Sequence, residues 1–288
     1  MIQAVFFDID GTLLTRQGTI RKSTVASIQE LQSQGILCGL ATGRAPFKLP
    51  HALKTLPFDV TISFNGALIF VHDQVISEHH FSKDALEQMA HFFDQHHRQA
   101  LFYTKDTQFG SFTIRFGHSY YIAKLLTLLP DWIPTNTLRY LLQKWSPNRK
   151  KNRYKDLVKR ADCFHQCVLF CSEKETEYIK EQLPSCDVVR SNRFAVDIIP
   201  KGVNKKAGLD VFAKQTQMQL ADFMVFGDHL NDSQMIQAAG VGVAMGNARP
   251  EVKKVADYVT GSHQRNGIRD ALIHFQLVTD KKKSRASD

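Results

Sequence analysis

Apolar runs of four or five residues alternate with stretches of helical spacing at both ends of the chain, and the middle departs from that rhythm. Ala4, Val5, Phe6 and Phe7 run without a polar break, which predicts a short strand buried on both faces. Ile28 and Leu31 then recur at helical spacing, with Ser23 as the expected N-cap and Gly35 as the stop. "ILCGLATGR" (36–44) predicts a second buried strand ending in a polar turn, residues 46–56 a helix, and "VTISF" (60–64) a third strand. In "SFNGAL" an Asn-Gly pair sits between two apolar runs, which is a hairpin signal.

From about residue 82 the pattern changes. "SKDALEQMAHFFDQHH" reads as an amphipathic helix with Leu86, Met89, Phe92 and Phe93 on one side. A strand "ALFYT", a less regular stretch to Arg160, "CFHQCVLFC", a helix "EKETEYIKEQL" and the paired strands "CDVVRS" and "RFAVDIIP" follow. Pro200 and Gly202 punctuate the chain, and the earlier rhythm returns. Helices are expected over 204–216, 231–239, 250–256 and 267–276, and strands over 223–228, 241–245 and "DYVT". Strand–helix–strand order with fully apolar strands predicts an α/β fold, a doubly wound parallel sheet built from residues 1–81 and 200–288. An α+β domain, 82–199, is inserted into it.

Composition narrows the class. At 288 residues and 43% hydrophobic, the chain can bury one sizeable core or two smaller ones. No apolar stretch approaches the ~18 residues of a membrane span, so no membrane is expected. The N-terminus runs straight into the first strand, and the five cysteines include no C-x-x-C pair; reduced thiols in a cytoplasmic protein are expected. Cys163, Cys167 and Cys171 read as small hydrophobes on one strand face rather than as metal ligands, and His165, His79–His80 and His96–His97 are not assigned to a site. The net charge of +9 is concentrated: residues 144–160 hold eight Lys or Arg against one Asp, and the tail 281–285 adds four. Such a run reads as a solvated surface, with attraction of polyanionic substrates or of nucleic acid as the alternatives.

The chemistry sits where the strands stop. Asp8 and Asp10, two apart, point the same way from an extended chain, and Gly11 turns the chain behind them. A D-x-D-G strand end can be a plain turn or can hold a hard cation through oxygen. Three further polar clusters fall at strand or helix ends: Thr42 and Gly43 in "ATGR", Lys205 in "GVNKKAGL", and Asp228, Asn231 and Asp232 in "FGDHLNDS". Ligands of open α/β sheets bind beyond the carboxyl ends of the strands, so these groups can converge on Asp8 and Asp10. Several acids, a hydroxyl and a lysine at one edge point to Mg2+ and a phosphoryl group.

In this order the stretches "DIDGT" (8–12), "ATGR" (41–44), "KGVNK" (201–205) and "GDHLND" (227–232) resemble the haloacid dehalogenase superfamily. With "SFNGA" (63–67) and "VGVAMGNA" (241–248), they resemble specifically its Cof-type phosphatases with a type IIB cap. The resemblance implies a Rossmann-like core and a cap domain at 82–199 that closes over substrate. It implies a Mg2+-dependent phosphatase of small phosphorylated metabolites, of the sugar phosphate, flavin mononucleotide or pyridoxal phosphate class. Asp8 is then the nucleophile and Asp10 the general acid and base. Thr42 and the Gly43 amide bind the phosphoryl oxygens, and Lys205 neutralises charge. Asp8, Asp10 (through its backbone carbonyl) and Asp228 hold Mg2+, with Asp232 binding directly or through water. Asn231 orients Lys205 or the phosphate. Asn65 is shared between a phosphate-binding role and a plain hairpin turn, and Thr12 between bracing and binding. Lys206 is an alternative to Lys205, since "NKKAG" departs from the usual glycine after the lysine. A sugar phosphomutase or phosphotransferase, and a nucleic-acid or partner-binding protein on a phosphatase scaffold, are the rival readings. Nucleic acid is not the expected partner.

Overall fold

The run Ala4–Phe7 forms strand β1 at the centre of an eight-stranded sheet. A computed structural model describes residues 1–54, 56–110, 153–159, 163–192 and 194–280. The chain divides into two units: Met1–Arg44, Lys48–Glu78 and Asn204–Asp288 form one, Ala45–Phe47 and His79–Val203 the other.

In the first unit β2 (Leu37–Ala41) and β3 (Val60–Ser63) lie to one side of β1, followed by β4 (Leu68–Val71) and β5 (Gln74–Glu78). On the other side lie β11 (Phe223–Gly227), β12 (Val241–Ala244) and β13 (Tyr258–Val259). All neighbours from β13 to β3 pair in parallel, whereas β4 pairs antiparallel with both β3 and β5. The two-residue period of a strand explains why β1 has no polar position. Val5 and Phe7 join a core with Ile28 and Leu31 of helix Lys22–Ser33 and with Ile268 and Leu272 of helix Gly267–His274. Ala4 and Phe6 face the opposite way, toward Leu209 and Phe212 of helix Lys205–Thr216, Met235 of helix Ser233–Ala238 and Val252 of helix Pro250–Val255. Helices on both faces are what a parallel sheet requires, because each crossover must return over one side.

Two local expectations are corrected. Helix Lys22–Ser33 starts two residues earlier than the sequence suggested, with Arg21 as N-cap, so Ser23 lies in the first turn and donates to Asn266 Oδ1 at 2.8 Å instead. The single helix expected over 46–56 is a 3₁₀ turn, Pro46–Lys48, and one helical turn, His51–Lys54. Pro50 lies between them; it has no N–H and disfavours helical geometry at Leu49.

The second unit is an antiparallel five-stranded sheet. Its order is β7 (Gln108–Gly110), β6 (Ala100–Tyr103), β8 (Gln166–Phe170), β10 (Ala195–Pro200) and β9 (Cys186–Asn192). Helix Lys83–Gln95, capped by the Ser82 hydroxyl accepting from Ala85 N, sets Leu86, Met89, Phe92 and Phe93 in the core of this unit. Cys167 and Cys171 are buried in that core and Cys163 is exposed. Of the basic stretch 144–160, residues 153–159 are described and Arg153–Val158 is helical; 144–152 and 160, like the tail 281–285, lie outside the described residues.

Phe6 is fully buried, with its ring 5.4 Å from that of Phe212 and 5.3 Å from that of Phe223. Phe6→Ala is expected to destabilise the protein by about 3–5 kcal/mol, read as a lower urea midpoint. A loss below about 1 kcal/mol would mean that β1 does not anchor the sheet.

Candidate active site

Each polar cluster lies just after a central strand or at the start of a helix. Asp8 follows β1, and its amide still donates to Phe226 of β11 at 3.0 Å, so the carboxylate is held on rigid sheet rather than on a loop. Gly11 then turns the chain at φ +84°, and a Cβ there would lie 2.3 Å from Asp228 Oδ2. Only glycine lets the first turn approach the Asp228 carboxylate this closely. After β2, Thr42 donates its amide to Ile62 O at 2.8 Å and accepts Arg44 N on its hydroxyl at 3.1 Å, which diverts the chain from strand into turn. The second strand therefore stops at Ala41, and the polar turn expected at its end begins at Thr42. Asn65 sits at φ 54° in the turn joining β3 to antiparallel β4, with its amide on Thr42 O at 2.9 Å. Gly43 lies beside the Asn65 amide, close enough that a Cβ would fall 3.0 Å from Nδ2.

Lys205 opens helix Lys205–Thr216, whose N-cap Asn204 accepts from Ala207 N at 2.8 Å. The Lys205 side chain is fully buried, and its Nζ donates to Asp8 Oδ1 and to Asp232 Oδ1, both at 2.6 Å. The other oxygen of Asp232 accepts the amides of Asp228 and His229, each at 2.9 Å. Both Asp232 oxygens are thus engaged, and its carboxylate bends the chain that presents Asp228. Lys206 instead pairs with Asp210 at 2.8 Å on a half-exposed helix face. Asp8, Asp228 and Asp232 each offer one oxygen within 4.8 Å of the others.

This carboxylate set carries more negative charge than one lysine balances. Burial raises the pKa of Asp8 well above the carboxylate range; Lys205 pulls it down, and Asp232, Asp10 and Asp228 push it further up. Burial, then Asp232, pushes Asp228 up to about 7. Burial opposes the charge on Lys205, but Asp232 and Asp8 outweigh it and hold the ammonium more firmly protonated than usual. Clustered hard oxygen donors, two of which (Asp8 and Asp228) have their ionised form disfavoured, fit a divalent cation such as Mg2+, which would restore the charged state. Asp8, Asp228 and Asp232 are the side chains that could hold it.

Asp10 is different. Its side chain is 58% exposed and lies in a bidentate pair with Arg44, Nε to Oδ2 at 2.6 Å and Nη2 to Oδ1 at 2.7 Å. Asn231 Nδ2 donates to Asn65 Oδ1 at 3.0 Å, which ties the loop after β11 to the β3–β4 turn; no bond to Lys205 is formed. Thr12 Oγ1 reaches Asp228 Oδ1 at 3.5 Å. Two contributors had no role assigned from sequence. Arg44 is one, although "ATGR" contains it. The other is Asn247, whose side-chain amide donates to Gly11 O at 2.8 Å and Asp228 Oδ2 at 3.2 Å. Its place in the polar turn that follows β12, as Asp8 follows β1 and Asp228 follows β11, is the signal that could have found it.

A family model for haloacid dehalogenase-like hydrolases matches residues 5–272. "Putative phosphatase YkrA" of Bacillus subtilis (strain 168) is 31% identical over 274 residues, spanning 95% of this chain and 98% of that protein. The solved structure of BT1666 from Bacteroides thetaiotaomicron, described among phosphatases of this superfamily, is similar with a TM-score of 0.79 and 26% identity over 96% of both chains. That of BT4131, described as a HAD subclass IIB sugar phosphatase, gives 0.78 and 26% over 96% of this chain and 100% of that one.

Removing the buried ammonium leaves two carboxylates without their partner. Lys205→Met in metal-free buffer is expected to cost about 3–5 kcal/mol of stability, measured by urea unfolding. A loss below about 1 kcal/mol would show that the acids do not depend on it.

Proposed function

This chain belongs to the haloacid dehalogenase-like hydrolases and is a phosphatase of that family, and we propose that it is Mg2+-dependent and hydrolyses small phosphorylated metabolites through an aspartyl-phosphate. The observation that carries this reading is the Lys205 ammonium held 2.6 Å from Asp8 at the carboxyl edge of the sheet. With Oδ1 engaged by Lys205, Asp8 Oδ2 attacks phosphorus. As the Asp8–phosphorus bond forms, the bond to the leaving oxygen breaks, and Asp10 gives that oxygen its proton. Asp10, now ionised, takes a proton from water as the water attacks phosphorus, which frees Asp8 and releases phosphate.

The other residues bind charge. The Thr42 hydroxyl accepts Arg44 N, so its own O–H remains to donate to a phosphoryl oxygen, alongside the Gly43 amide. Lys205 offsets the repulsion between Asp8 and the incoming phosphoryl group. Asn231 and Asn65, bonded to each other, fix the two turns that border this pocket of donors. Asp8, Asp228 and the Asp10 backbone carbonyl hold the Mg2+, with Asp232 behind them bound to Lys205. When bound, the cation supplies neutralisation of the nucleophile and phosphoryl charge.

The inserted segment 82–199 is the cap domain and sets the choice among sugar phosphates, flavin mononucleotide and pyridoxal phosphate. Among the described residues no helix is long and apolar enough to cross a membrane.

Phosphate release from a panel of such metabolites tests the reading. Asp8→Asn is expected to abolish release. Asp10→Asn should lower it by about 10²–10⁴-fold while calorimetry still detects Mg2+ binding. Chelation of divalent ions should stop turnover and added Mg2+ restore it. Undiminished turnover by Asp8→Asn, or in excess chelator, would overturn the proposal.

A further inference from the structure

We infer that Arg44 is a positioning residue for Asp10, fixing its carboxylate in the orientation from which it moves protons; this rests on the role of Asp10 proposed above. Burial does not fix Asp10, since its side chain is 58% exposed. The guanidinium does, and it is itself held from several directions. Arg44 Nη1 donates to Lys48 O at 3.2 Å, the Arg44 amide donates to Thr42 Oγ1 at 3.1 Å, and Arg44 O accepts Phe64 N at 3.2 Å. The group that steadies Asp10 is therefore tied to the turn bearing Thr42 and to the start of the β3–β4 turn.

An exposed ion pair ordinarily contributes little stability, because two long side chains must be ordered in high dielectric. A guanidinium fork is different in kind. It sets the plane and rotation of a carboxylate through two parallel bonds, and lysine cannot reproduce that. Each carboxylate oxygen has two lone-pair directions, and the fork takes one on each. The other direction on each oxygen is left for a leaving group or a water. A misplacement of about 1 Å in an acid–base group can cost about 10²-fold in rate, so orientation is worth more here than the stability of the pair.

The test is the dependence of kcat/KM on the leaving group across aryl phosphates from nitrophenyl to phenyl, with Mg2+ saturating. A correctly placed acid helps poor leaving groups most. Wild type should show a shallow dependence and Asp10→Asn a steep one. Arg44→Met should match the steep dependence, losing about 10²-fold on phenyl phosphate and under about 10-fold on nitrophenyl phosphate, with KM nearly unchanged. Arg44→Lys should stay close to Arg44→Met, since it keeps the charge and loses the fork. Adding Arg44→Met to Asp10→Asn should change nothing further, as expected of residues that act as a unit. A uniform fall across the series, a rise in KM alone, or wild-type behaviour in both Arg44 variants would overturn the inference. A steep dependence in wild type itself, or no hydrolysis by wild type, would overturn the assignment of Asp10 on which it stands.

Discussion

A lysine ammonium with no exposed surface, gripped by two carboxylates, sets the terms for the rest of the site. An isolated charge cannot be buried at tolerable cost, so Lys205 requires Asp8 and Asp232 as much as they require it. That mutual need joins three parts of the chain far apart in sequence: the end of β1, the first turn of helix Lys205–Thr216 and the 3₁₀ turn after β11. Asp232 carries the constraint outward, because its second oxygen accepts the amides of Asp228 and His229. Gly227 permits the approach; a Cβ there would fall 2.5 Å from Asp232 Cβ. The carboxylate of Asp228 is thereby delivered to the same edge as Asp8.

The two acids of "DIDG" share a turn and little else. Asp8 is buried against Lys205, and burial makes its ionised form depend on nearby positive charge. Asp10 lies toward solvent, fixed by the fork of Arg44. Two carboxylates placed in contrasting surroundings can take different parts in one reaction, which is what the roles proposed for Asp8 and Asp10 require. Neither distinction follows from the residue types.

Much of this was legible in the order of residues because strand and helix carry different periods. The unbroken apolar runs of β1, β2 and β11 announced strands buried on both sides, and the polar residues that follow each run marked the edge where a site could form. Asn65-Gly66 announced the turn between β3 and β4. What sequence could not supply was direction. Lys205 and Lys206 are equivalent until the helix forms and turns one inward and the other toward Asp210. Arg44 reaches back 34 positions to Asp10, and Asn247 reaches 236 positions to Gly11; such pairings are products of the sheet order, not of local pattern. Ser23 and Pro50 show the smaller failure, in which a helix end depends on where a neighbouring element offers a partner or a ring removes one.

The central claim is that the Lys205 cluster prepares Asp8 to take the phosphoryl group. The direct measurement is acid quenching during turnover, followed by mass spectrometry of the peptide spanning residues 4–15. The account predicts one added phosphoryl group on Asp8, absent when Asp8→Asn is used and accumulating in Asp10→Asn with an activated aryl phosphate. Phosphate release at the full wild-type rate with no label on Asp8, or with the label on another residue, would contradict it.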